Sequence, residues 1–233
     1  MNKWSAHLTH MPRQLALDLP HEDSRSRADF LEGDSNEDAL AMIEAWPDWP
    51  SPFLALIGPE GAGKSHLAAI WAEQAGARVI SARALVAEAV PSALATGALV
   101  LEDAHEEAQE EAQERAFFHL LNLARQEGAS ILITARTPLN TKLVTLPDLA
   151  SRLRAIPSVP LGQPDELLLR AVLVKLFTDR QIAVDEALIA YLITRLERSF
   201  AAMLDAVKML DRAALQRKRP VNRALAVEID LQP

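Results

Sequence analysis

Apolar positions along this chain follow two regimes that meet near residue 163. In the first, short continuous apolar runs alternate with stretches of helical period. Phe53-Leu-Ala-Leu-Ile57, Arg78-Val-Ile-Ser81, Ala98-Leu-Val-Leu-Glu102 and Ser130-Ile-Leu-Ile-Thr134 read as strands. The four apolar residues at 98–101 mark a strand buried on both faces, as in a parallel sheet. Between these runs the pattern predicts helices over 37–46, 66–75, 82–90 and 110–126, and a short helical piece over 149–154. Asp34, Ser35 or Asn36 can cap the first, and Trp46-Pro-Asp-Trp-Pro-Ser-Pro52 ends it. From Pro164 onward only the helical period remains, over 165–180, 186–198, 200–216 and 221–229, with Pro164, Asp185 and Pro220 as start signals. The expected architecture is α/β: a parallel sheet with flanking helices over 30–162, then a small all-helical domain over 163–233.

Residues 1–29 read as a flexible tail with no sustained period. One element stands out in it, Gln14-Leu-Ala-Leu-Asp-Leu19. Extended, it presents Leu15, Leu17 and Leu19 on one face. Such alternate anchors suit either docking into another protein's groove or a short strand packed on the chain's own domain, and periodicity alone leaves both open.

Composition narrows the class. The chain has 233 residues, 49% of them apolar, enough for a substantial core. No apolar run reaches the roughly 20 residues of a membrane span, and the N-terminus lacks the apolar stretch of a secretory signal, so a cytoplasmic protein is expected. There is no cysteine, which excludes disulfides and thiolate chemistry. A net charge of −8 argues against nucleic-acid binding by the whole surface. The local basic cluster Arg212, Arg217-Lys-Arg219 and Arg223 reads first as cations complementing a helix C-terminus.

The chemistry concentrates at Gly58-Pro59-Glu60-Gly61-Ala62-Gly63-Lys64-Ser65, a G-x-x-x-x-G-K-S run between an apolar strand and a helix that opens with His66. Glycines let successive backbone N–H groups turn inward toward phosphate oxygens, and the helix N-terminus adds partial positive charge. Lys64 supplies a mobile cation for the β- and γ-phosphates, and the Ser65 hydroxyl can ligate Mg²⁺. The expected ligand is therefore a nucleoside tri- or diphosphate. Glu102 and Asp103 end the strand run that follows, where an α/β nucleotide site holds Mg²⁺ and its water. Adjacent strand residues face opposite ways, and the reading adopted gives Glu102 the metal and Asp103 the second acid's catalytic role.

A P-loop core with an acidic strand end and a helical lid resembles the AAA+ ATPases, and within them the DnaA-like group of Hda-type regulators, over about residues 30–230. Phe30-Leu-Glu-Gly33-Asp-Ser-Asn36 is similar to the group's F-x-x-G-x-x-N segment near base and ribose, and His66-Leu67 after the P-loop is typical of it. Ser151-Arg152 falls where the family carries its arginine finger, with Arg154 as the fallback, and 196–213 resembles the sensor 2 region. The resemblance makes Gln14–Leu19 a peptide for the DNA polymerase sliding clamp, Gln14 at the groove rim and the leucines in the apolar pocket. It implies ADP or ATP with Mg²⁺ as cofactors and the clamp and DnaA as partners. It further implies at most a weak ATPase, promoting hydrolysis of DnaA-bound ATP. A homodimer stays open. The chain stops at Pro233, leaving no room for the helix-turn-helix domain of DnaA, so no direct sequence-specific DNA binding is expected. Three positions depart from the family pattern: Glu102 replaces the usual leading Asp, Ala135 a polar sensor 1 residue, and Ala201 the sensor 2 arginine. The two alanines remove side chains that would report on or stabilise the γ-phosphate, which points to slow intrinsic hydrolysis, since one positioned cation is worth roughly 10³–10⁵ in rate. The competing expectation is an autonomous motor, such as a helicase loader, which calls for a basic surface. A small-molecule kinase would need an acceptor site, for which no constellation is found.

Overall fold

Helices cover both faces of the sheet, which is why its central strands are apolar at nearly every position. A computed structural model describes residues 25–104, 111–139 and 144–229. The expected groove-binding peptide Gln14–Leu19 lies outside the described residues. Strands β1 (Phe53–Ile57), β2 (Arg78–Ser81), β3 (Ala98–Glu102), β4 (Ser130–Ala135) and β5 (Ser158–Pro160) form one sheet in the order β2-β3-β4-β1-β5. All neighbouring strands run parallel.

Strand alternation sorts the core into two layers. Leu54, Leu56, Val100 and Leu132 face α1 (Glu37–Glu44) and α2 (Lys64–Ala75), where they pack with Leu40, Ile43, Leu67 and Trp71. Phe53, Leu99, Leu101, Ile131 and Ile133 face the other way, onto α3 (Val90–Ala93), α4 (Glu111–Glu127) and α5 (Pro147–Arg154). A third cluster, centred on Leu173, Phe177, Leu192 and Leu210, belongs to α6 (Glu166–Asp179), α7 (Glu186–Arg195), α8 (Phe200–Arg217) and α9 (Arg223–Glu228). Asp165, Asp185, Ser199 and Asn222 cap these four helices, each side chain accepting from a backbone N–H of the first turn.

The structure revises the sequence reading at two places. The helix expected over 82–90 is instead two 3₁₀ turns, Ala82–Ala84 and Ala87–Ala89, followed by the short α3. Leu85 and Val86 are extended between the turns, and buried Leu85 takes the inward position there. Strand β5 was not expected. Its three residues include Pro160, which cannot donate to a ladder, and the strand is tolerated because it sits at the sheet edge and pairs only with β1. Within the basic cluster, Arg217 and Arg219 share one carboxylate, lying 2.6 and 2.8 Å from Glu228. Among the described residues no helix is long and apolar enough to cross a membrane.

Leu132 is fully buried in the middle of the sheet. Leu132→Ala is expected to cost about 2–5 kcal/mol of stability, measured by chemical denaturation, because the packed sheet on either side can collapse little into the gap.

Candidate nucleotide-binding site

The C-terminal ends of β1, β3 and β4 meet at one edge of the sheet, where α/β folds place their ligands. Backbone bonds hold that edge together. Gly58 N–H donates to the Ala135 carbonyl at 3.1 Å, Ala104 N–H to that of Thr134 at 2.8 Å, and Leu161 N–H to that of Ile57 at 2.7 Å. From this edge Gly58–Ser65 curls into α2. Gly61 and Gly63 take positive φ of 71° and 100°, which no β-branched or bulky residue adopts without strain. Lys64 is buried, and its ammonium donates to the carbonyls of Gly58 at 2.7 Å and Pro59 at 2.8 Å.

A cleft of about 590 Å³ opens over this loop, within the range of small-ligand sites. Gly61, Gly63, Lys64, Ser65 and His66 border it on the P-loop side, as does Glu60. Phe30 and Leu31 border it from the N-terminal segment, and Val172, Lys175 and Leu176 from α6. Phe200, Ala201 and Leu204 border it from α8. Gly58, Pro59 and Ala62 build the loop without lining the cleft. The F-x-x-G-x-x-N segment divides in the same way. Phe30 reaches the cleft, whereas Gly33 and Asn36 shape the turn behind it: buried Asn36 accepts from Gly33 N–H at 3.0 Å and donates to the Leu31 carbonyl at 3.1 Å.

The two acids separate. Asp103 borders the cleft and has a positive φ of 57°; Thr134, buried beneath it, accepts the Asp103 N–H at 3.1 Å. Glu102 does not border the cleft. As the last residue of β3 it follows Ala98 and Val100, which pack on the α2 face. Ser65 with Asp103 or Glu102 would hold Mg²⁺, and the hydroxyl and carboxylate oxygens are the hard donors that ion takes. The residues present fit a nucleotide phosphate chain: a glycine cradle, a buried lysine and a helix N-terminus converge.

Sequence reasoning missed four cations at the cleft: Arg25, Arg136, Lys175 and Arg180. Arg136 comes one residue after Ala135, so the strand end that lacks a polar sensor side chain still delivers a guanidinium. It pairs with Glu60 at 3.0 Å, both side chains well exposed. An exposed pair of this kind is worth about 0–1 kcal/mol. The position of Arg136 at the end of a strand beside β1 was the available signal. Lys175 had none, because its partner Asp29 lies 146 positions earlier in the chain. Lys175 bonds Asp29 and Asp179, each at 2.7 Å. Burial works against its charge, yet the hydrogen bonds to Asp179 and Asp29 outweigh that and raise its pKa above the usual value. The pair ties the N-terminal segment to α6 beside the cleft.

Arg152 is elsewhere. It lies on α5, does not border the cleft, and its guanidinium rests over the Phe118 ring of α4 at 5.0 Å. Arg154 is exposed in the same last turn.

His66 stands edge-on to Phe30, ring centroids 5.2 Å apart, with Nε2 3.0 Å from the Ser26 carbonyl. That carbonyl can only accept, so Nε2 carries the proton. Burial lowers the His66 pKa, against the opposing pull of the Ser26 carbonyl. The unfolded chain then binds more protons than the folded one below the ordinary histidine range. The stability that neutral His66 contributes is present above pH ~6.5 and is lost as the pH falls through the lowered value. His66→Gln is expected to flatten this acid limb in melting curves recorded between pH 7 and 5. Arg136→Ala is expected to weaken ATP binding more than ADP binding, by roughly tenfold in the ratio of dissociation constants measured by calorimetry.

No protein-family model matches the chain. It is similar to an uncharacterized protein of Haemophilus influenzae, 28% identical over 226 residues, covering 90% of this chain and 94% of that one. Among solved structures it is similar to domain III of the Thermotoga maritima replication initiation protein DnaA, with a TM-score of 0.72 at 18% identity, covering 89% of this chain and 96% of that domain. It is also similar to AMPPCP-bound DnaA from Aquifex aeolicus, with a TM-score of 0.61 at 22% identity, covering 81% of this chain and 66% of that one. The Thermotoga maritima RuvB Holliday junction branch migration motor gives a TM-score of 0.68 at 19% identity, covering 88% of this chain and 70% of that one. The chain has the AAA+ fold that DnaA domain III and RuvB share.

Proposed function

We propose that this chain is a nucleotide-binding regulator of DNA replication initiation that acts on ATP held by a DnaA protein. In this reading the cleft over Gly58–Ser65 holds ADP or ATP with Mg²⁺ and sets the conformation of the helical domain. Gln14, Leu15, Leu17 and Leu19 engage the polymerase sliding clamp, and Arg152 is offered in trans. One observation carries the reading: Arg152 stands outside the chain's own cleft, on the last turn of a helix whose start and face are both packed on α4. An arginine serving its own nucleotide would have to border that nucleotide.

The chemistry is then on the partner. Water attacks the γ-phosphorus of the bound ATP, the bond to the bridging oxygen breaks, and ADP and inorganic phosphate leave. A guanidinium placed against the transferring group meets the charge that builds on its oxygens, in fork-like geometry that a lysine lacks. Lifting Arg152 off the Phe118 ring costs about 0.5–1 kcal/mol, small beside what a finger supplies.

A second reading, an autonomous motor or helicase loader, draws on Arg136, which borders the chain's own cleft and pairs with Glu60 of the P-loop. It predicts turnover by this protein alone, stimulated by nucleic acid and suppressed by salt.

Arg152→Ala separates the two. With DnaA, DNA-loaded clamp and labelled ATP, the variant is expected to lose roughly 10³-fold of the stimulated hydrolysis rate while still binding the clamp. A variant as active as the parent overturns the assignment.

A further inference from the structure

Helix α4 carries a carboxylate at a place where a small core normally has none. Glu114 is only 1% exposed, amid the apolar layer formed by Ala116, Phe117 and Leu120 of the same helix. Burying a carboxylate is expensive unless hydrogen bonds replace its water. Here they do: Glu114 accepts from Thr145 N–H at 2.8 Å, Thr145 Oγ1–H at 2.7 Å and Leu146 N–H at 2.8 Å. Leu146 is the N-cap of α5, so the carboxylate also lies at the positive end of the helix that carries Arg152.

We infer that Glu114 is the positioning residue for Arg152, fixing where α5 starts and therefore where its last turn presents the guanidinium. The inference rests on the reading of Arg152 given above. Leu149 and Leu153 bury α5 against the core, but apolar contacts are non-directional and leave a short helix able to slide along its neighbour. Three hydrogen bonds to one fixed carboxylate remove that freedom. One turn further along α4, on the same side, Phe118 carries the Arg152 guanidinium. Glu114 and Phe118 thus fix α5 at its first and last turns from a single face of α4. An apolar residue at position 114 would pack at lower desolvation cost, but it would give α5 no axial reference.

The chemistry Arg152 would serve is sensitive to such placement, since displacement by about 1 Å can cost 10²-fold in rate. Glu114→Gln keeps the shape but offers an amide NH₂ where one of two acceptor oxygens stood, so at least one of the three donors loses its partner. Thr145→Val removes only the hydroxyl bond and serves as the milder variant. The test measures hydrolysis of DnaA-bound ATP against the concentration of this protein, together with its own ADP affinity and melting temperature.

The expected result for Glu114→Gln is a maximal rate lower by roughly 10–100-fold, with half-saturation and ADP affinity unchanged. Thr145→Val should fall in the same direction by less. The double variant Glu114→Gln/Arg152→Ala should be no slower than Arg152→Ala alone, because the two act through one group. A full maximal rate for Glu114→Gln beside an inactive Arg152→Ala would overturn the inference and leave the role of Arg152 standing. Parallel loss of rate and ADP affinity in both Glu114→Gln and Thr145→Val would likewise reduce Glu114 to a folding role. A fully active Arg152→Ala would remove the reading on which the inference stands.

Discussion

Gly61 accepts the Phe200 N–H at 3.0 Å, and a Cβ on Gly61 would come within 2.4 Å of the Ser199 Cβ. That contact joins the phosphate loop to the first turn of α8. It requires a residue without a side chain, at a backbone angle that glycine adopts most readily. Through it α8 is seated on the P-loop itself, and Lys175 with Asp29 ties α6 to the N-terminal segment beside the cleft. A ligand entering between P-loop, N-terminal segment and α8 therefore acts on all three at once.

This arrangement changes the meaning of the two alanines. Ala201 does border the cleft, without a charge, and Ala135 is buried with its carbonyl bound to Gly58 N–H. Taken alone they argue for a holder of nucleotide. Arg136 qualifies that argument, since it brings a guanidinium to the same cleft from the next position. The action proposed for Arg152 is separate, set by α4 and α5 rather than by the cleft.

Much of the fold was legible because the strands are covered on both faces and so read as continuous apolar runs, as at Ala98–Leu101 and Ser130–Thr134. The phosphate loop was legible because its residues are consecutive and their order is their mechanism. What escaped notice depends on position rather than pattern. Ser158–Pro160 is too short and too proline-rich to read as a strand, and it exists because β1 offers it an edge. Ala82–Ala93 has helical composition, but Leu85 is recruited to the core in extended form. Glu114 looked like one acid among several at the start of a helix. Its partners lie 31 and 32 positions away, and only the packing of α5 on α4 turns it inward. The separation of Glu102 from Asp103 likewise depends on a local left-handed turn held by Thr134.

The central claim is that nucleotide in this chain sets a state while hydrolysis takes place on a partner. The direct measurement compares two rates under the same conditions: ATP turnover by the purified protein alone, and release of phosphate from ATP preloaded on DnaA when the protein and DNA-loaded clamp are added. The account predicts negligible turnover by the protein alone and a large acceleration of the preloaded ATP. Turnover of several per second by the protein alone, with no effect on DnaA-bound ATP, would contradict it.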